Sequence, residues 1–273
     1  MHILDGHIHS AIGEIEQAAL LERMRLAGVS GGVIISSPPP AYRATEPPVT
    51  AERRMEEAIA WTRGAPKLFP FFWIDPTEPG ALEQVAMAVA AGAVGFKVIC
   101  HAFDPGDPRA MPVYRAIAQA GKPILFHSGI LWDGTPSSMH CRPVLFEALL
   151  EVDGLRFALA HVSWPWCDEC IAVYGKFLNA IRRRQLNIEM FIDLTPGTPL
   201  IFRQEVLAKL LTVGYDIKRN LIFGTDCSAS QYNAESASLW IERDTGIYRL
   251  LNLEQQVIED LFANNLLRFV GKG

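Results

Sequence analysis

The stretch Asp5-Gly6-His7-Ile8-His9-Ser10 holds two histidines at a spacing that suits a metal ion. It closes a run, begun at Ile3, in which apolar and polar residues alternate. On a β-strand, residues two apart project from the same face. His7 and His9 would then stand about 6–7 Å apart along the strand. From there both could lean onto one ion, with Zn–N bonds of about 2.0–2.1 Å. Gly6 leaves room beside them, and Asp5 is placed to accept a hydrogen bond at the base of the pair. A merely polar strand edge would carry the same two residues, so the pair needs support from elsewhere in the chain. His127 and His161 supply candidates, each at the end of a short apolar run, and Asp226 follows a third such run. Imidazole nitrogens plus a carboxylate suit Zn²⁺ or another divalent transition ion. Such an ion acidifies bound water and polarises a substrate oxygen.

What must position these residues is a strand–helix pattern that repeats along the whole chain. After the first strand, a helix is expected over Ile15–Leu26, stopped by Gly28. Strand Gly32–Ser36, a Pro-rich loop from Pro38 to Pro48 and helix Thr50–Thr62 follow, with Thr50 as N-cap. Strand Leu68–Ile74 contains Pro70, which cannot donate to a ladder. Helix Pro79–Ala91, strand Val94–Ile99, helix Pro112–Ala120 and strand Pro123–His127 come next. Helix Pro143–Glu151, strand Arg156–Val162 and helix Cys170–Arg184 continue the alternation. Strand Asn187–Leu194, helix Arg203–Leu211 and strand Asn220–Thr225 complete it, before helices over Ser236–Arg243 and Leu253–Phe269.

Eight strands with intervening helices, no linker and no composition break favour one domain over residues 1–273. The expected fold is a single (β/α)8 TIM-type barrel with additional C-terminal helices. An open doubly wound sheet is the alternative, but neither G-x-G-x-x-G nor a P-loop occurs to support it. In a barrel, all the strand ends that carry these histidines lie on one face, and Asp226 comes round beside His7 and His9.

The 273 residues carry a net charge of −5, which argues against nucleic acid as a partner. Arg182-Arg183-Arg184 is the one basic run, and it ends a helical pattern where cations complement the dipole. No apolar run approaches the roughly 20 residues of a membrane span. Five cysteines without an export leader imply reduced thiols and a cytoplasmic protein.

Asp5-Gly6-His7-Ile8-His9, Gly95-Phe96-Lys97, Phe126-His127-Ser128-Gly129, Ala160-His161-Val162 and Phe223-Gly224-Thr225-Asp226, in that order, resemble the amidohydrolase superfamily. The branch they resemble is the amidohydrolase-related (amidohydrolase 2) proteins, which include lactonases and aminocarboxymuconate-semialdehyde-type decarboxylases. The ending Phe262-Ala263-Asn264-Asn265-Leu266-Leu267-Arg268-Phe269 resembles that branch's closing helix, so the resemblance spans nearly the whole chain. It implies His7, His9, His127 and Asp226 as metal ligands, with Asp226 also taking the proton of attacking water. His161 would be a second-metal ligand or, in one-metal members, an acid/base that polarises substrate. Lys97 would bridge two ions as a carbamate or stay unmodified; one Zn²⁺ per chain with unmodified Lys97 is the expectation. A plain lysine offsetting a substrate carboxylate is the alternative, and burial would demand an anionic partner for it.

Among the remaining candidates, Trp164 in Trp164-Pro165-Trp166 is expected to wall a substrate pocket or to pack. His101 and Arg109 follow the fourth strand, where they could reach an anionic substrate. Cys167-Asp168-Glu169-Cys170 has the C-x-x-C form. A zinc site there would need two more donors, for which His140-Cys141 is nearest, and free cysteines are the simpler account. No G-x-S-x-G elbow exists for a serine nucleophile. The expected activity is metal-dependent hydrolysis of a lactone, ester or amide of a small molecule, in a chain compatible with a homo-oligomer. Two alternatives stand beside it. One is non-oxidative decarboxylation of an aromatic or unsaturated acid, which arginines reaching the pocket would favour. The other is a non-catalytic binding barrel, which a missing ligand would favour.

Overall fold

The computed structural model describes residues 2–44 and 47–273; residues 45 and 46 of the Pro-rich loop lie outside the described residues. Its centre is an all-parallel sheet of β1 (Asp5–His9), β2 (Gly32–Ile35), β3 (Leu68–Trp73), β4 (Gly95–Val98), β5 (Ile124–Phe126), β6 (Arg156–Leu159), β7 (Glu189–Asp193), β8 (Leu221–Ile222) and β9 (Cys227–Ser228). From β1 to β8 each strand pairs with the next in the chain, and β9 pairs with the other edge of β1. Because β8 and β9 belong to one stretch, residues 221–228 meet β7 at their start and β1 at their end. Leu194 N–H donates to the Ile222 carbonyl at 2.7 Å, and Gly6 N–H to that of Phe223 at 2.8 Å. The sheet therefore curls back on itself, as in TIM-type α/β folds. The strand count differs from the eight expected. The run read as one strand, Asn220–Thr225, forms a regular strand only at Leu221–Ile222. Asp226 then takes a left-handed conformation (φ 61°) before pairing resumes at Cys227.

Strand alternation divides the core in two. Ile34, Phe72, Phe96, Phe126, Phe157 and Ile192 point outward into the layer shared with the helices. These helices are α1 (Gln17–Leu26), α2 (Ala51–Thr62), α3 (Ala81–Ala91), α4 (Ala110–Gln119), α5 (Cys167–Arg184), α6 (Leu200–Thr212) and α7 (Ala234–Leu250). Val33, Ile35, Phe69, Phe71, Leu125, Ala158 and Phe191 point inward. The chain ends in α8 (Gln255–Glu259), a π-type turn over Asp260–Asn264, and α9 (Asn265–Phe269). Leu266 and Phe269 of α9 join the inner core, with the Phe269 ring 5.1 Å from Phe191. The same alternation that turns Phe71 and Phe191 inward turns His7, Lys97 and Asp193 inward near the strands' carboxyl ends. There the interior is polar.

Three local expectations are corrected or explained. Pro143–Glu151 is a 3-10 rather than an α-helix. Its buried side chains, Pro143, Phe146 and Leu149, recur every third residue, which matches three residues per turn. Strand six stops at Leu159, so His161 is not on it; His161, Val162 and Ser163 form a left-handed turn with φ of 60°, 47° and 56°. Pro70 lies inside β3 at no cost to the ladder. Its carbonyl accepts from Val94, so its nitrogen faces the same side, before β4 begins at Gly95. The Thr50 cap is as expected, its hydroxyl accepting from Arg53 N–H at 3.3 Å. Among the described residues no helix is long and apolar enough to cross a membrane.

Candidate metal centre

His7 and His9 are held by the curled strand β1, and their Nε2 atoms meet at 3.1 Å. Asp226 comes from the turn between β8 and β9, placed there by its own N–H, which donates to the His7 carbonyl at 2.9 Å. Its Oδ1 lies 3.3 Å from His9 Nε2 and 3.6 Å from His7 Nε2. Two donors each about 2.0–2.1 Å from a tetrahedral ion are about 3.3 Å apart, so these separations fit a single ion. Among the described residues these three form the one group of His, Cys, Asp and Glu side chains with donors close enough to share a metal. Asp5 accepts at the base of the pair as expected, from the His7 N–H at 3.0 Å. It also accepts from the Thr225 N–H and hydroxyl and from the Tyr232 hydroxyl, which ties β1 to the β8–β9 stretch.

The tautomer of His7 follows from its neighbours. Nδ1 lies 2.7 Å from Asp193 Oδ2 in a fully buried contact, so the proton sits on Nδ1 and the lone pair on Nε2. Lys97 Nζ donates to that lone pair at 3.3 Å, and among the described residues it has no other hydrogen bond. The anionic partner expected for Lys97 is supplied at longer range by Asp226 and Asp193.

His127 lies just past β5 and lines the same cavity, outside the close trio. Its Nε2 donates to the Ile130 carbonyl at 3.1 Å, which leaves Nδ1 with the lone pair. The His161 ring is 4.9 Å from His127 and 5.4 Å from His7. Its Nδ1 donates to the Pro196 carbonyl at 3.1 Å. The left-handed turn that presents His161 costs about 1–2 kcal/mol per residue. It is held by Trp164 N–H donating to the His161 carbonyl and by a 2.7 Å bond between the Ser128 and Ser163 hydroxyls. Gly197 makes space for it: a Cβ there would fall 2.7 Å from His161 Cβ.

Burial sets the charges. It pushes His7 down to about 4, with Lys97 adding to the effect and Asp193 opposing it. His127 and His161 are also lowered, by burial first. Neutral imidazole is the form that ligates a metal. Burial lowers Lys97 to about 8. Burial alone would raise Asp226, but the His9 hydrogen bond and the nearby histidines hold its carboxyl well below the usual range.

The cavity above these groups has a volume of about 430 Å³. Trp164 lines it, as expected; Trp166 faces a neighbouring cleft instead. Trp73, Tyr42, Trp132 and Arg43 line it too, none of them singled out from the sequence. His101 and Arg109 do not reach it. His101 stacks edge-on against Tyr42 and Phe103, and Arg109 pairs with Asp107 at 2.6 Å. The cysteine site is not assembled: Cys167 and Cys170 are buried and unpaired in the first turn of α5, and His140 bonds Asp104. Asp193 was also missed, although a lone acid closing the apolar run Met190-Phe191-Ile192 is a legible signal.

Comparison with known proteins places the chain in a family and bears on its fold. The family model described as Amidohydrolase matches residues 15–272. No curated protein matches the chain. A 2,6-dihydroxybenzoate decarboxylase from Rhizobium is similar over 99% of both chains, with 15% identity and a TM-score of 0.63. A zinc-bound amidohydrolase from Burkholderia multivorans covers 99% of both at 12% identity and a TM-score of 0.67. A Campylobacter jejuni dihydroorotase matches 99% of this chain and 83% of its own, at 12% identity and a TM-score of 0.63. At these identities the solved structures speak to the fold alone, and the family assignment rests on the near full-length match of the family model. The chain belongs to the amidohydrolase family, in its amidohydrolase 2 branch.

Proposed function

We propose that this protein is a metal-dependent hydrolase of small molecules, acting on a lactone, ester or amide carbonyl. The observation that carries the reading is the convergence of His7 Nε2, His9 Nε2 and Asp226 Oδ1 at the floor of the aromatic cavity. These three residues, with His127 as the fourth, would hold one divalent ion, and Zn²⁺ suits the donor set. When bound, such an ion supplies Lewis acidity that polarises a carbonyl and makes water a nucleophile near neutral pH. The rest of the work falls to side chains. Asp226 Oδ takes up the proton of the attacking water. His161, with Nδ1 committed to Pro196, turns Nε2 to the substrate and in its protonated form donates to the developing oxyanion, while Asp226 passes the water proton on to the leaving oxygen or nitrogen. Lys97, unmodified, adds positive charge at the cavity floor, and Trp164 and Trp73 add apolar lining to the cavity.

Arg43 favours a second reading. It lines the cavity with no ion-pair partner among the described residues, and a substrate carboxylate would supply one. That suits non-oxidative decarboxylation of an aromatic or unsaturated acid, the activity named for the Rhizobium neighbour.

One set of measurements tests both. Elemental analysis should find about one divalent ion per chain, lost in the His7→Ala/His9→Ala protein; full retention in that variant would sink the site. On a panel of lactones, amides and carboxylated aromatics, proton release from lactones without CO₂ is expected. CO₂ from an aromatic acid, with every lactone and amide inert, would select the decarboxylase.

A further inference from the structure

Asp193 closes β7 and is buried, and its two oxygens have separate duties. Oδ1 accepts from the Thr195 N–H at 2.6 Å and from the Thr195 hydroxyl. Oδ2 is thereby turned to His7 Nδ1 at 2.7 Å. The strand end that carries the carboxylate is anchored from outside the sheet. The Leu194 carbonyl accepts from Arg203 Nη1 at 2.7 Å, and Arg203 is clamped to Asp244 by two hydrogen bonds of 2.9 and 2.6 Å. Both members of that pair are buried. Thr195 in turn needs Gly224, where a Cβ would lie 2.4 Å from the threonine hydroxyl and 3.0 Å from His7 Cβ. Asp193 therefore cannot rotate away from His7 without breaking several buried bonds.

We propose that Asp193 is the positioning residue for His7, fixing its tautomer and thereby the affinity of the His7–His9–Asp226 site for a divalent ion. The inference rests on the metal reading above. A neutral imidazole carries one proton, and that proton goes where an acceptor holds it. With Oδ2 at Nδ1, Nε2 keeps its lone pair and points at His9 Nε2 and Asp226. Without that acceptor the Nδ1 proton loses its partner, only the Lys97 ammonium 3.3 Å from Nε2 still favours the lone pair there, and any share of the proton that moves to Nε2, 3.6 Å from Asp226 Oδ1, takes that donor atom from the metal. A carboxylate on the far nitrogen also makes the imidazole a stronger donor, and removing such a partner commonly weakens metal affinity about 10–100-fold.

The test compares wild type with Asp193→Asn, whose amide can turn either its oxygen or its NH₂ toward Nδ1. Zn²⁺ affinity is measured by competition with a chelating dye at fixed pH, and the variant should bind about 10–100-fold more weakly. In parallel, ¹⁵N-edited histidine spectra of the metal-free protein report the tautomer. His7 should carry its proton on Nδ1 in wild type and redistribute it in Asp193→Asn. Affinity within about threefold of wild type in a folded variant would overturn the proposal. So would an Nε2 proton on His7 in the wild-type spectrum, a result that stands even if the variant does not fold. Wild-type protein that takes up no ion would overturn the metal reading. An Nδ1 proton on His7 that is lost in Asp193→Asn would still uphold the positioning.

Discussion

His161 and Lys97 are buried beside the same imidazoles, yet their surroundings fit them to different work. His161 has one nitrogen occupied by a backbone carbonyl and one with no hydrogen bond among the described residues, which suits a group that exchanges a proton with substrate. Lys97 has its ammonium on His7 and is pushed down only to about 8, so near neutral pH it is mostly a fixed charge. In a one-ion site, His161→Asn should therefore lower kcat about 10²–10⁴-fold while the ion stays bound. Parallel kinetics and elemental analysis of the variant check this. Loss of the ion together with activity would make His161 a ligand instead.

At the scale of elements, two irregular segments aim the polar groups. The 3-10 run over Pro143–Glu151 packs against α5, whose first residue follows shortly after the left-handed turn at His161. That turn is strained at Val162, a β-branched residue at φ 47°, and such strain persists only where the surroundings over-determine it. Gly197 is part of those surroundings. Gly197→Ala would drive a methyl to 2.7 Å from His161 Cβ, so either the ring or the loop after β7 must shift. A shift of the order of 1 Å can cost about 10²-fold in rate. We expect kcat to fall by about that factor with metal content unchanged. Wild-type kcat in the variant would mean that the loop yields instead of the histidine.

For the molecule as a whole, the two apolar layers carry stability and the buried charges shape its pH dependence. Glu57 on α2 is 4% exposed; its Oε2 accepts from the Ser37 hydroxyl, and among the described residues its Oε1 has no hydrogen-bond partner. Burial raises its pKa, with Ser37, Ser10 and Arg53 working against that. As pH rises through the unfolded value near 4.5, the unfolded chain releases this proton first. Glu57 thus favours the fold below that pH, and its contribution is lost as pH climbs through the folded value. Glu57→Gln removes the titration and keeps an acceptor for Ser37. Its stability relative to wild type should therefore grow between pH 4.5 and pH 8. Thermal melts at both pH values read the gap, each kcal/mol appearing as about 2–4 °C. A gap that stays constant or closes would show that Glu57 is not held above its ordinary value.

How much of this was legible beforehand depends on the range of the interaction. Periodicity placed the order and kind of most elements, because an apolar alternation or a helical stripe is a local pattern that burial must satisfy. The shared strand face of His7 and His9, the Thr50 cap and the inward turn of Lys97 are local in the same sense. Three features were not local. The split of the last strand arises where the curling sheet meets β1 again, the left-handed turn at His161 is held by Ser128, Pro196 and Gly197 from the loops after β5 and β7, and no residue in Ala160-His161-Val162-Ser163 announces a positive φ. The partnership of Asp193 with His7 joins residues 186 apart in the chain. Only the closure of β7 onto residues 221–228, and of those onto β1, brings that carboxylate to that imidazole. The sequence by itself determined which residue types could do the chemistry and that His7 and His9 share one face of the first strand. The tertiary structure alone decided which nitrogen of each histidine is free, because that depends on the acceptor packed against the other.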